Sequence, residues 1–108
     1  MDELDDPGPP LATVDVALEG DVLVVTFTGE IDMSNVELLH GAIAPALAED
    51  PREIVFDVAA LEFMDSSGIA LLLRMSAAAE TVRLRGPSPI VRRLIAATGL
   101  TDVLCIEP

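Results

Sequence analysis

Several residue types are scarce or missing in this chain of 108 residues, and each absence excludes a class of structure or function. There is no Trp or Tyr, and Phe is rare, so a folded core must be built from Ile, Leu, Val and Ala. Cys105 is the only cysteine, which excludes an intrachain disulfide and fits a reducing compartment. His40 is the only histidine, so a metal site with several histidine ligands is also excluded.

Basic residues are scarce as well. Six Arg and no Lys stand against 19 acidic residues, and the net charge is −13. This balance argues against binding to nucleic acid or to anionic membranes and favours a protein partner with a basic face. The N-terminus lacks the apolar segment of a signal peptide, and no apolar run approaches the about 20 residues that span a bilayer. The sequence therefore predicts a soluble, cytoplasmic protein.

What is present suffices for one domain. Hydrophobic residues make up 51% of the chain, and its length fits a single core. Residues 1–10, MDELDDPGPP, are acidic and rich in Pro and are predicted to form a disordered tail, with one domain at 11–108. The chain has no internal repeat, P-loop, G-x-G-x-x-G motif or G-x-S-x-G elbow. The sequence thus predicts a protein that is not an enzyme and has no catalytic residue, metal site or cofactor.

The first half of the domain begins with two predicted strands. Apolar residues alternate with others at 13–18, the run 22–28 is typical of a strand covered on both faces, and the turn at 19–21 predicts a hairpin. Ser34 and Glu37 fit a capping box at the start of a helix. Pro45 is expected to kink that helix or to end it just before the proline.

The second half alternates strands with helices. Strands are predicted at 53–58, 81–85 and 102–106, and Cys105 is interpreted as an inert core residue. Ser88 and Pro89 predict the start of a last helix, whose apolar stripe is Ile90, Val91, Leu94 and Ile95 and whose end is at Gly99. The resulting order is ββαβαβαβ, which is an α/β architecture.

The segment LEFMDSSGIALLL at 61–73 has two interpretations. In the first, Asp65 is simply the N-cap of a helix, and Ser66 and Ser67 occupy its first turn. That interpretation leaves Gly68 unexplained, because glycine within a helix costs about 0.5–1 kcal/mol relative to alanine. In the second, Gly68 leaves an open patch beside two hydroxyls. A helix N-terminus suits a phosphate, so a serine there can carry one covalently.

The same segment resembles the STAS family, specifically the anti-sigma factor antagonists. FMDSSGIALLL carries the most specific part of the resemblance, with GEID at 29–32 before it and PSPIVRRLIAATGL after it. The resemblance extends from about Val14 to Ile106 in the same element order. It implies a single domain with a mixed, mostly parallel sheet packed by helices. The segment RMSAAAE is shorter than is usual in the family.

The resemblance also implies a phosphorylation-controlled partner switch. Ser66 corresponds to the serine that is phosphorylated in the family. The unphosphorylated protein would bind an anti-sigma factor and so free a sigma factor. That anti-sigma factor would be a GHKL-type serine kinase using ATP and magnesium, and a PP2C-type phosphatase would remove the phosphate.

Five other residues are predicted to take part in partner binding: Asp32, Ser34, Asp65, Ser67 and Gly68. Asp32 is predicted to contact the kinase, Ser34 is better explained by the capping box, and Ser67 is assigned a hydrogen bond within the helix start. An alternative remains open. Some members of the family do not switch and serve as stressosome scaffolds, transport-accessory subunits or anionic-ligand modules.

Overall fold

The computed structural model describes residues 11–99 and 104–107. Five strands and three helices follow the predicted order, namely β1 Ala12–Glu19, β2 Val22–Ile31, α1 Val36–Leu47, β3 Glu53–Met64, α2 Ser66–Ser76, β4 Thr81–Arg85, α3 Pro89–Ala97 and β5 Cys105–Glu107. The predicted tail at 1–10 and the first two residues of the last predicted strand, at 102 and 103, lie outside the described residues. Among the described helices, none is both long and apolar enough to cross a membrane.

The five strands form one sheet in which the spatial order equals the chain order, β1-β2-β3-β4-β5. β1 and β2 form the predicted antiparallel hairpin, and the three remaining pairs are parallel. Each crossover advances by one strand in the same direction, and crossovers between parallel strands are right-handed. All three helices therefore lie on one face of the sheet. The predicted mixed, mostly parallel α/β sheet is confirmed.

The core lies between the sheet and the helices. Alternate strand residues such as Leu23, Phe27, Ile54 and Phe56 pack there against the inner sides of the helices, and the rings of the two phenylalanines lie 6.3 Å apart. No described helix covers the opposite face of the sheet. One row of that face runs across all five strands and consists of Asp15, Thr26, Asp57, Arg85 and Glu107.

Two predictions about helices need correction. Of the two outcomes expected at Pro45, a break just before it does not occur, because α1 continues to Leu47. Because Pro45 is exposed and close to the C-terminus of the helix, the carbonyl of Gly41 that loses its hydrogen bond can be solvated instead. In α3, Ser88 is the N-cap and Gly99 has a positive φ of 76° just after the helix, as predicted. Ile90, however, is exposed and is not part of the buried stripe.

The strands depart from prediction at their ends. β3 extends six residues beyond the predicted end at Val58. Two irregularities in its pairing with β2 change which residues face the core, so the regular alternation that predicts a strand stops before the strand ends. Leu18 is exposed at the end of the edge strand β1. Cys105 is exposed rather than buried, since it lies in the other edge strand and shares a row with Arg83 on the open face.

Candidate functional site

The carboxyl ends of β2 and β3 bring together two loops that are distant in the sequence. The strands are parallel, and their last residues, Ile31 and Met64, are register partners. The backbone N–H of Asp65 donates to the carbonyl of Ile31 at 3.2 Å. Asp32, which follows β2, and Asp65, which follows β3 and precedes Ser66, therefore lie at the same end of the sheet.

Asp65 caps α2, as predicted. Its side-chain Oδ1 accepts the backbone N–H of Ser67 at 2.8 Å and that of Gly68 at 3.4 Å. Ser66 is the first residue of the helix, and it is exposed. The hydroxyl of Ser66 takes no part in the cap, so it can react without breaking the helix start. Ser67 is half-buried and contributes its backbone N–H, rather than its hydroxyl, to the cap.

Gly68 is not the open patch that the sequence suggested. The residue is buried in α2. A Cβ atom placed on Gly68 would lie 2.8 Å from Cβ and 3.0 Å from Sδ of Met64, closer than real Cβ contacts. The absent side chain therefore makes room for Met64 of the same chain and not for a partner or a phosphate.

The loop between β2 and α1 is built around Asp32. Asp32 Oδ1 accepts the backbone N–H of Ser34 at 2.8 Å and its hydroxyl at 2.5 Å. Asn35 is tied to the end of β2, because its amide donates to the carbonyl of Glu30 at 2.9 Å. α1 begins only at Val36 and has no side-chain cap.

The predicted capping box of Ser34 and Glu37 does not form. Ser34 lies outside the helix and its polar groups are engaged by Asp32. Glu37 instead forms a 3.3 Å ion pair with Arg74 of α2. This exposed pair joins the two helices that flank the loop.

The contacts with Ser34 hold the pKa of Asp32 below that of an ordinary aspartate, because the Ser34 hydroxyl and then its backbone N–H donate to the charged carboxylate. The stabilisation of the folded protein by these contacts is thus complete above the ordinary aspartate pKa, and it is lost as the pH falls through the lowered pKa of Asp32.

Ser34→Ala is expected to raise the pKa of Asp32, as measured by carboxyl ¹³C shifts against pH. Ser67→Ala should leave the Asp32 titration unchanged. An unchanged pKa in Ser34→Ala would contradict this assignment.

Three exposed apolar side chains lie in the segments that carry Asp32 and Ser66. Met33, in the Asp32 loop, is 78% exposed, and Phe63, near the end of β3, is 44% exposed. Leu73, two helical turns after Ser66, is also exposed. The sequence reasoning missed all three. The only signal was a Phe directly before the M-D-S-S-G segment, in a chain that has few aromatic residues.

Positive charge is remote from the serine along its own helix. Arg74 lies eight residues after Ser66, an axial distance of about 12 Å, and is paired with Glu37. Asp65 and Asp32 bring carboxylates to the two adjoining loops. In the part of the chain that the structure describes, His, Cys, Asp and Glu form no group of three or more that could hold a metal ion.

Comparisons with known proteins identify the family of this chain. The family model described as Mlab, STAS domain matches residues 14–106. The anti-sigma-F factor antagonist RsfB of Mycobacterium tuberculosis is 37% identical over 68 residues, which are 63% of this chain and 56% of RsfB. This chain thus matches little more than half of that relative.

Solved structures extend the likeness to the whole fold. An anti-sigma factor antagonist from Mycobacterium paratuberculosis has a TM-score of 0.81 and 31% identity, covering 90% of this chain and 86% of that one. SpoIIAA, an anti-sigma factor antagonist solved in its unphosphorylated form, has a TM-score of 0.73 and 27% identity, covering 89% of each chain. The phosphorylated form of Bacillus SpoIIAA has also been solved, and its TM-score is 0.68. This chain belongs to the STAS domain family.

Proposed function

We propose that this protein is an anti-sigma factor antagonist that is switched by phosphorylation of Ser66. The unphosphorylated form binds an anti-sigma factor and so frees a sigma factor. The anti-sigma factor is itself a GHKL-type serine kinase, which phosphorylates Ser66 and then dissociates, and a PP2C-type phosphatase resets the cycle. In this role the protein is a substrate and a ligand rather than an enzyme, and it acts in the cytoplasm.

The observation that carries this proposal is the state of the Ser66 hydroxyl. Ser66 is exposed at the first position of α2, while the cap of that helix is made by Asp65. A kinase can therefore reach the hydroxyl while the capping bonds stay intact. SpoIIAA, to which this chain is similar, has been solved in a phosphorylated form, which supports control by phosphorylation.

A phosphate on Ser66 would act mainly through its charge. It adds about −1.5 to −2 charges at neutral pH. The N–H groups of Ser67 and Gly68, which would otherwise stabilise it, are already bonded to Asp65. Arg74 is about two turns away and paired. The phosphate thus stays on the surface as uncompensated charge, which is costly to desolvate in an interface.

The apolar residues around Ser66 favour a protein partner over a small ligand. Met33, Phe63 and Leu73 are exposed in the loop before α1, in β3 and in α2, the segments next to Asp32 and Ser66. Exposed Met and Phe side chains of this kind are enriched in protein–protein interfaces. A charge introduced among them would lie within the contact surface, where it weakens binding most.

Phosphorylation is tested with tagged protein incubated with ATP and magnesium in a lysate of the source organism, followed by peptide-resolved mass spectrometry. We expect one phosphate on Ser66. Ser66→Ala should abolish it, whereas the matched control Ser67→Ala should retain it, because Ser67 acts in the cap through its backbone. A phosphate on Ser67 or Ser34 in place of Ser66 would contradict the proposal.

Partner release is tested with the anti-sigma factors of the same organism. Ser66→Ala should bind one of them, and Ser66→Asp should bind it about 100-fold more weakly, which corresponds to about 3 kcal/mol. Isothermal titration calorimetry measures both affinities. Equal affinity of the two variants would contradict the switch and favour the alternative of a non-switching STAS module. Gly68 variants cannot separate the two functions, because their side chains would collide with Met64.

A further inference from the structure

β1 is an edge strand with an unusually regular free side. It pairs only with β2 within the described part of the chain, through eight consecutive register pairs without a bulge. Proteins commonly protect such edges with proline, lysine, bulges or short strands. β1 has eight residues and contains neither proline nor lysine, so its outer side can accept another strand.

The hydrogen-bond pattern shows which backbone groups face outward. The carbonyl of Leu11 accepts the N–H of Glu30 at 3.0 Å, and a two-residue turn joins Glu19 to its register partner Val22. Hydrogen-bonded pairs alternate in an antiparallel ladder. The odd-numbered residues of β1 therefore bond to β2. The outward backbone groups belong to the even-numbered ones, which are Ala12, Val14, Val16 and Leu18.

An apolar groove lies beside this edge on the helix side. It separates β1 from α1 and is lined by Ala12, Val14, Leu38 and Ala42 among others. Leu38 is 77% exposed. Every second side chain of a strand added to β1 would point toward this groove, since side chains alternate between the two faces of a sheet.

The other face of the edge is acidic. Asp15 lies in the middle of the exposed side of β1, and Glu19 lies at its end. Neither β1 nor β2 contains a basic residue, and the row that starts at Asp15 continues through Thr26 to Asp57. Side chains of an added strand that point to this face would therefore be stabilised by a positive charge.

We propose that the outer edge of β1 binds an extended segment of a partner protein in which apolar residues alternate with Arg or Lys. The segment extends the sheet by one strand, with its apolar side chains in the groove below α1 and its basic side chains beside Asp15. α1 separates this site from α2 and Ser66. The site thus lies on the other side of α1 from Ser66 and is additional to the surface of the proposed switch.

Two other occupants fit less well. A second copy of this chain would bring its own Asp15 and Glu19 to the same edge, with no basic residue from β1 to pair with them. Residues 1–10 of this chain are acidic and include three prolines, which lack the N–H that a strand donates. Charge and hydrogen bonding both favour a basic partner segment.

The test uses two synthetic eight-residue peptides of the same composition, four Val and four Arg, one strictly alternating and one with the Val and Arg grouped. Binding to the full chain is followed by ¹H–¹⁵N NMR shifts and by amide hydrogen exchange. We expect the alternating peptide to protect the amides of Val14, Val16 and Leu18 and to bind about tenfold more tightly than the grouped one. Equal binding of the two peptides would reduce the effect to general charge attraction and overturn the proposal.

Val16→Pro removes one outward N–H donor and leaves the hydrogen bonds with β2 intact, so it should weaken binding of the alternating peptide about tenfold.

Asp15→Lys gives a second test that does not depend on the proline variant folding. It should weaken binding of the alternating Val–Arg peptide and allow binding of an alternating peptide that has Glu in place of Arg. The matched control Glu80→Lys makes the same charge change at an exposed residue away from this edge and should bind like the wild type. If the edge amides are already protected in the free protein, the edge is occupied and the proposal is wrong. Protection that depends on protein concentration would identify a second copy of this chain as the occupant. Protection that does not depend on concentration would identify a segment of the same chain.

Discussion

Replacing Phe56 by alanine is expected to lower the free energy of unfolding by about 3–5 kcal/mol. Phe56 is fully buried in the central strand β3, and its ring packs against that of Phe27 at 6.3 Å. Domains of this size are stabilised by about 5–15 kcal/mol, so the variant loses a large share of its stability. Urea unfolding followed by circular dichroism measures the change.

Phe63→Ala is the matched control, because it makes the same change in the same strand at a residue that is 44% exposed. Its loss of stability should be below about 1 kcal/mol. If Phe63 belongs to the partner surface around Ser66, this variant should weaken binding of the anti-sigma factor while remaining folded. Equal destabilisation by the two substitutions would contradict the placement of both rings.

Gly68→Ala is expected to destabilise the protein by about 1–2 kcal/mol, although alanine is the better helix former. The substitution gains about 0.5–1 kcal/mol in helix propensity. Against this, the new Cβ meets Met64 Cβ at 2.8 Å, and overpacking of this kind costs about 1–3 kcal/mol. Gly68 also donates to the Asp65 carboxylate, so a shift of its backbone would displace the start of α2. Thermal unfolding measures the effect.

Gly41→Ala is the control, and its expected effect on the free energy of unfolding has the opposite sign. Gly41 lies inside α1, and nothing lies within 4 Å of a Cβ placed there. This variant should gain about 0.5–1 kcal/mol, because only the helix propensity changes. A gain in both variants would show that Met64 moves aside easily and that Gly68 has no packing role.

Local signals predicted the fold well. Asp65 and Ser88 were recognised as N-caps because a cap bonds to backbone groups only two or three residues away. The bounds of β4 follow from the alternation of its residues alone. The end of β3 was wrong because pairing irregularities with β2 alter its alternation, and no signal in the strand itself reveals its neighbour.

The site was predicted less completely, because one of its contacts joins distant residues and two local contacts compete with the patterns that the sequence suggested. Asp32 and Ser66 are brought together by a bond between Asp65 and Ile31, and only the resemblance to STAS domains placed them near each other. The capping box of Ser34 was wrong because Asp32, two residues earlier, competes for the same hydroxyl and N–H. Gly68 was misinterpreted because the side chain of Met64, only four residues earlier, occupies the space beside it.

The order of the strands in the sheet, which equals their order in the chain, bears on how the protein is made. During synthesis the β1–β2 hairpin can form first from purely local contacts, and each later helix–strand unit then adds to an edge that already exists. No strand has to wait for a partner from further along the chain. The bond between Asp65 and Ile31 joins β2 to the start of α2, so the ends of β2 and β3 can meet before β4 and β5 emerge from the ribosome. The segment that carries Ser66 can therefore form before the last strands complete the sheet.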